Sequence, residues 1–232
     1  GLLIAIERPP PARNRALAIG IAGRGFDGNL TSDSTRLDGY VLSTDVAPTI
    51  LERLGVSVPS QMSGQPIRAE GSIDPGAVTR LGDRMAVISG RRGPVIGLSL
   101  LAWIVALGAA IALARPRSGV RLLGLSVVYL PLVLLAGAAV EPGETAETLL
   151  AMLGAPLLAA LTLVALGGYR ALAVASGLTV LAYAVDVVAG SPLTSLSLLG
   201  PNPGLGVRFY GIGNELEALL AVLVVAGTGA GL

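Results

Sequence analysis

Hydrophobic positions follow two regimes along this chain. Up to about residue 93 they come in short bursts, at Leu2-Leu3-Ile4-Ala5-Ile6, residues 16–22 and residues 46–54, each bounded by Gly, Pro, Asp or Ser. From Pro94 onward they come in long runs separated by brief charged stretches. The bursts at 2–6 and 16–22 predict two buried strands, because a short apolar run between breakers suits a strand. Their connection, Pro9-Pro10-Pro11-Ala12-Arg13-Asn14-Arg15, predicts a loop, since proline has no amide to donate. Residues 23–40 are rich in Gly, Asp, Ser and Thr and predict an irregular surface loop, and residues 56–69 predict another. Between them, residues 46–54 predict a short helix. Thr44 or Asp45 is placed to cap it, Pro48 suits its first turn and Gly55 its end. Residues 75–89 are weakly amphipathic and predict a helix leading into the apolar part.

The long runs have the length of a hydrocarbon core. Residues 94–114 hold no charge up to Ala114 and would reach about 31 Å as a helix. Further spans are predicted at 122–140, 148–167 (with Pro156 as a kink), 171–188 and 215–232. Short loops orient them. Arg115, Arg117 and Arg121 without an acid mark the first loop as cytoplasmic; Glu141, Glu144 and Glu147 without a base mark the second as outer; Arg170 marks the third as cytoplasmic. Residues 1–93 and the 189–214 loop are then extracytoplasmic, at the plasma membrane. Arg91 and Arg92 fall on the wrong side of this rule, which is weak after a folded domain.

Composition agrees with that division. The chain has 232 residues, 53% hydrophobic and 13% charged, too apolar for an ordinary water-soluble domain. Residues 1–93 hold 11 of the 16 basic and nine of the 15 acidic residues. Every basic residue is Arg, and a net charge of +1 lacks the concentrated basic face that nucleic acid requires. With no Cys and no His, disulfides, thiolate chemistry and the commonest general base and metal ligand are absent from this stretch. An opening at Gly1 and an ending inside an apolar run lead us to expect a fragment of a longer protein.

At residues 44–64 a resemblance emerges. Thr44-Asp45-Val46-Ala47-Pro48-Thr49-Ile50-Leu51, then Leu54-Gly55-Val56 and Met62-Ser63-Gly64, resembles the C-terminal end of alkaline-phosphatase-superfamily domains, as in sulfatases and phosphodiesterases. The predicted strand at 16–22, followed by Gly23, Gly25 and Phe26, is similar to the strand and glycine loop that precede that helix. The resemblance implies that residues 1–70 are the last part of an α/β domain, joined by a linker at 71–93 to an α-helical transmembrane bundle at 94–232. It also implies a Ser or Thr nucleophile and a divalent metal pair in the full-length protein, both upstream, with no cofactor held in this stretch. Family members place a His just before the strand that 16–22 matches. Residues 7–15 hold none, so that ligand is replaced or the site is degenerate, and degenerate is the reading taken forward. The membrane half, from Asp186 through Gly190-Ser191-Pro192-Leu193 and Gly200-Pro201-Asn202-Pro203 to Arg208-Phe209-Tyr210-Gly211-Ile212-Gly213-Asn214-Glu215, resembles a bacterial family that joins a phosphatase-like outer domain to several spans.

Candidate chemistry concentrates at the mouth of the last span. Arg208, Tyr210, Asn214, Glu215 and Glu217, with Asp186, form the candidate site for a phosphate or lipid headgroup. Arg208 would be its anion contact. The alternative is an interfacial loop with snorkelling charges and a cap at Asn214. Asp186 reads as a hydrogen-bonded interface residue, and Glu141, Glu144 and Glu147 as a solvated acidic face. Thr31-Ser32-Asp33-Ser34-Thr35-Arg36 reads as a polar loop, Asp45 as a helix cap, and Trp103 and Tyr129 as packing residues. Expected partners are the bilayer and a lipid headgroup or phosphorylated glycan. Three functions follow: an envelope protein with a degenerate phosphatase-like ectodomain, an active metal-dependent phosphotransferase or hydrolase, or a transporter-like bundle.

Overall fold

A computed structural model describes residues 1–7, 17–113, 115–200 and 212–231. The described residues are chiefly helical and fall into two compact units, one ending at Ala86 and the other beginning at Val87.

In the first unit, β1 (Leu2–Ile6) and β2 (Ile19–Gly23) form an antiparallel ribbon with Leu2 opposite Gly23 and Ile6 opposite Ile19. The second strand starts later than the apolar pattern suggests, and Ala16 lies outside the described residues. The two stretches expected to be loops each contribute a short strand, β3 (Asn29–Thr31) and β4 (Arg68–Glu70), paired antiparallel. Three-residue strands with mostly polar side chains carry no readable alternation, and their partners lie far apart in sequence. Arg68 fastens the pair, its Nη1 and Nη2 donating to the two carboxylate oxygens of Asp33 at 3.0 and 2.9 Å.

The predicted helix is present as α1 (Val46–Arg53), but Asp45 does not cap it through its side chain. Asp45 instead lies fully buried at the end of a 3-10 turn and gathers four donors. The hydroxyls of Ser32 and Ser34 donate to it at 2.7 and 2.6 Å, and the amides of Leu42 and Gln65 each at 2.9 Å. A buried carboxylate is tolerable only when its lone pairs are used in this way. The serines of the polar loop are thus internal ligands of Asp45. Gly64 adopts φ +94°, and a Cβ there would strike the Thr44 carbonyl, so this crossing of the 44–45 and 64–65 backbones requires glycine.

The second unit is a helical bundle. The predicted helix at 75–89 and the first apolar run are one continuous helix, α2 (Pro75–Ala112), which passes through Pro94. It is followed by α3 (Pro116–Val140), α4 (Glu144–Leu149), a π-type turn at Leu150–Gly154, α5 (Ala155–Leu166), α6 (Gly168–Val188) and α7 (Asn214–Gly231). With α4 and α5 taken together, five helices are long and apolar enough to cross a membrane, which supports a membrane location for a multi-pass chain.

Helix α3 is central. Of its most apolar window 61% is buried, against 11–33% for the other four, which leave Leu101, Val105, Val164, Val188 and Val225 exposed as lipid-facing side chains would be. Pro94, Pro131 and Pro156 each interrupt the ladder of backbone bonds, and polar side chains of the core bond carbonyls at or beside the last two. Pro156 has no amide for the Met152 carbonyl, and the helix widens into the π-type turn just before it, where a kink was expected. Trp103 donates its indole N–H to that carbonyl at 2.8 Å. Around Pro131 in α3, Thr179 donates to the Val128 carbonyl at 3.1 Å and Tyr183 to the Pro131 carbonyl at 2.9 Å. Tyr129 shares a 2.7 Å hydrogen bond with Thr162. Close helix contacts fall at Gly119 against Ala110 and Gly227 against Ser176, where an added Cβ would approach to 2.8 Å.

The Arg68–Asp33 pair gives a pH dependence. The hydrogen bond and charge of Arg68 hold the Asp33 carboxyl below its ordinary value of 3.8. The pair's contribution is therefore fully present above pH 3.8 and is lost as pH falls through the lowered value. In Arg68→Gln the Asp33 titration, followed by carbon NMR, should move back up towards 3.8; an unchanged midpoint would remove Arg68 as the cause.

Candidate functional site: the polar end of the bundle

The C-terminal end of α3, the start of α4, the 189–200 loop and the first turn of α7 bring charged residues together around Arg91 and Arg92 of α2. These arginines are adjacent on a helix, so their side chains leave it about 100° apart. Arg91 donates through Nη1 to the Pro142 carbonyl at 3.1 Å and to Glu147 at 3.3 Å. The Glu147 side chain is only 1% exposed. The three glutamates are therefore not one solvated face: Glu141 and Glu144 are exposed, while Glu147 is the buried partner of Arg91. A buried carboxylate beside a mostly buried guanidinium is a pair whose separation would be expensive.

Arg92 points to the loop. Its Nε donates to the Leu198 carbonyl and its Nη2 to the Gly200 carbonyl, each at 2.5 Å, and its Nη1 lies 3.3 Å from Glu215. The loop that offers those carbonyls is itself held by Asp186. Its two carboxylate oxygens accept the amides of Leu193 at 2.9 Å and Thr194 at 2.7 Å. Asp186 is thus a buried, fully engaged loop anchor at the end of α6. Gly200 contributes by having no side chain, since a Cβ would collide with the Thr194 carbonyl.

The structure links two of the residues singled out from sequence, Asp186 and Glu215, through the loop and Arg92. Asn214 opens α7 and is exposed. Glu215 and Glu217 are both exposed on either side of the fully buried Leu216, as a two-residue separation on a helix dictates. Arg208 and Tyr210 lie outside the described residues. Arg91 and Arg92 were noted from sequence only as exceptions to the charge rule, and Glu147 only as part of a solvated acidic face. Their signal was present, however: two arginines on the side that the loop charges reserve for acids call for carboxylate partners.

Chemically this arrangement fixes a positive charge in place. Two carbonyls orient the Arg92 guanidinium and leave its Nη1 towards Glu215, whose side chain is 73% exposed. An exposed carboxylate is a weak and exchangeable partner. Among the described residues no group of three His, Cys, Asp or Glu is placed to hold a metal ion. The hydroxyls of Thr194 and Ser195 are buried with no hydrogen-bond partner among the described residues. A separate cavity of about 280 Å³ in the first unit, lined by Phe26, Thr49, Glu52, Arg53 and Ile67, has its Thr49 hydroxyl already bonded to the Asp45 carbonyl and the Ile67 amide.

No protein-family model, curated protein or solved structure matches this chain.

If Arg92 and the loop act as one unit, Gly200→Ala and Arg92→Gln should each destabilise the bundle by at least about 2 kcal/mol. Because both remove the same contacts, the double variant should cost far less than their sum in reversible unfolding in mixed micelles. Additive losses would show that the two act separately.

Proposed function

We propose that this chain is part of an integral protein of the cell envelope that holds a phosphate-bearing lipid headgroup or glycan at the polar end of its bundle. In this reading residues 1–93 lie outside the plasma membrane. The observation that carries it is Arg92, a guanidinium aimed by two backbone carbonyls whose remaining contact is an exposed, exchangeable glutamate. An oriented, partly desolvated arginine at the end of membrane helices suits a phosphate oxygen. Arg208 and Tyr210, close in sequence to Glu215, are the further residues of the proposed site.

The segregation of charge supports the orientation. Arg115, Arg117, Arg121 and Arg170 lie in the loops between α2 and α3 and between α5 and α6 or just inside their helices, while Glu141, Glu144 and Glu147 occupy the intervening connection. The string from Thr44 to Leu51, and the strand, glycine loop and helix order before it, support a phosphatase-like ectodomain over residues 1–70. The missing histidine supports its being degenerate, so that the membrane half does the work.

The test is the material that copurifies with the full-length protein in mild detergent. Wild type should retain a phosphate-bearing lipid or glycan, identified by mass spectrometry. Arg208→Ala should retain at least about fivefold less, the equivalent of one lost charged contact of about 1 kcal/mol, while inserting normally. Equal recovery from both would overturn the proposal.

A further inference from the structure

The opposite end of the bundle has a chemistry of its own. Arg115, Arg117, Arg121 and Arg170 are all exposed there. Neither α3 nor α6 has an acidic residue in its first turn. No carboxylate among the described residues forms an ion pair with any of the four. Arg117 and Arg121 are four apart on α3 and share a face, where like charges repel unless a counter-ion is present. Gly168 brings the second loop alongside: a Cβ there would lie 3.9 Å from both Cζ and Nε of Arg121, so the guanidinium rests beside the turn that carries Tyr169 and Arg170.

We propose that this arginine face binds the phosphate headgroups of anionic lipids in the leaflet it meets. Lipid, rather than free phosphate, is the ligand because the charges rim exposed apolar surface. Val120 is 57% exposed, Val164 89% and Leu113 73%, and they offer acyl chains a seat that inorganic phosphate would not use. Tyr169, 81% exposed, has the ring and hydroxyl that suit the headgroup boundary. The site is separate from the Arg92 end and does not depend on the function proposed for it.

The experiment is a thermal-shift titration of the full chain, delipidated in neutral detergent, with phosphatidylglycerol, phosphatidylcholine or inorganic phosphate. Phosphatidylglycerol should stabilise the wild type and the other two should not, and the effect should shrink at 1 M NaCl, where the Debye length is about 3 Å. Each arginine removed should weaken the apparent affinity for phosphatidylglycerol about fivefold, from about 1 kcal/mol per charge. The variants are Arg170→Gln alone and Arg117→Gln, Arg121→Gln and Arg170→Gln combined; the single exposed change keeps the test decisive should the triple variant fail to fold. Equal stabilisation by phosphatidylcholine, equal stabilisation by inorganic phosphate, or an unaltered response in Arg170→Gln would each overturn it.

Discussion

Neighbouring arginines on one helix cannot share a partner, and at the end of a membrane bundle neither can be left to lipid. Arg91 and Arg92 resolve this by turning to different partners, one to α4 and the other to the 189–200 loop and α7. The partners are therefore not interchangeable decoration. Glu147 is buried because Arg91 is there, and the loop carbonyls of Leu198 and Gly200 can face inward because Arg92 receives them. Asp186 completes the arrangement by taking two of the loop's amides, those of Leu193 and Thr194, so that these donors of an irregular segment are satisfied by protein. In sequence these residues span 91 to 215; in the fold they form two hydrogen-bonded sets that start from neighbouring arginines.

The same constraint explains the polar residues deeper in the bundle. Proline in a membrane helix leaves a carbonyl without its amide, and a protein core must supply another donor. Trp103 does so for Met152, while Thr179 and Tyr183 bond carbonyls next to the Pro131 break. Each donor comes from a different helix than the carbonyl it bonds, so these bonds also fix how the helices pack. The first unit follows the same logic around Asp45, whose four donors come from three separate stretches of loop.

What could be read from sequence was what depends on local pattern. The apolar runs located all five spanning helices, and breakers around 2–6 and 46–53 located β1 and α1. What depends on partners distant in the chain was not legible. Asp45 at the front of a helix looks like a cap, and only the fold shows Ser32, Ser34 and Gln65 arriving at it. Glu147 in an acidic triplet looks solvated until Arg91 comes into view, 56 residues away. β3 and β4 are too short and too polar to announce themselves. At the candidate site, Asp186 and Glu215 proved connected through Arg92, a residue noted from sequence only as a violation of the charge rule. The phosphatase-like resemblance of residues 1–70 rests on its short motif alone, without support from a matched family.

The charged pairs at the polar end are structural necessities of the bundle. A double-mutant cycle on Arg91→Gln and Glu147→Gln, by reversible unfolding in bicelles, measures this directly. The prediction is that each single change is strongly destabilising and the double recovers at least about 2 kcal/mol relative to their sum, because no charge is then left buried without its partner. Additivity within about 0.5 kcal/mol would mean that the two side chains do not depend on each other, and the buried pair would have to be abandoned as a structural necessity.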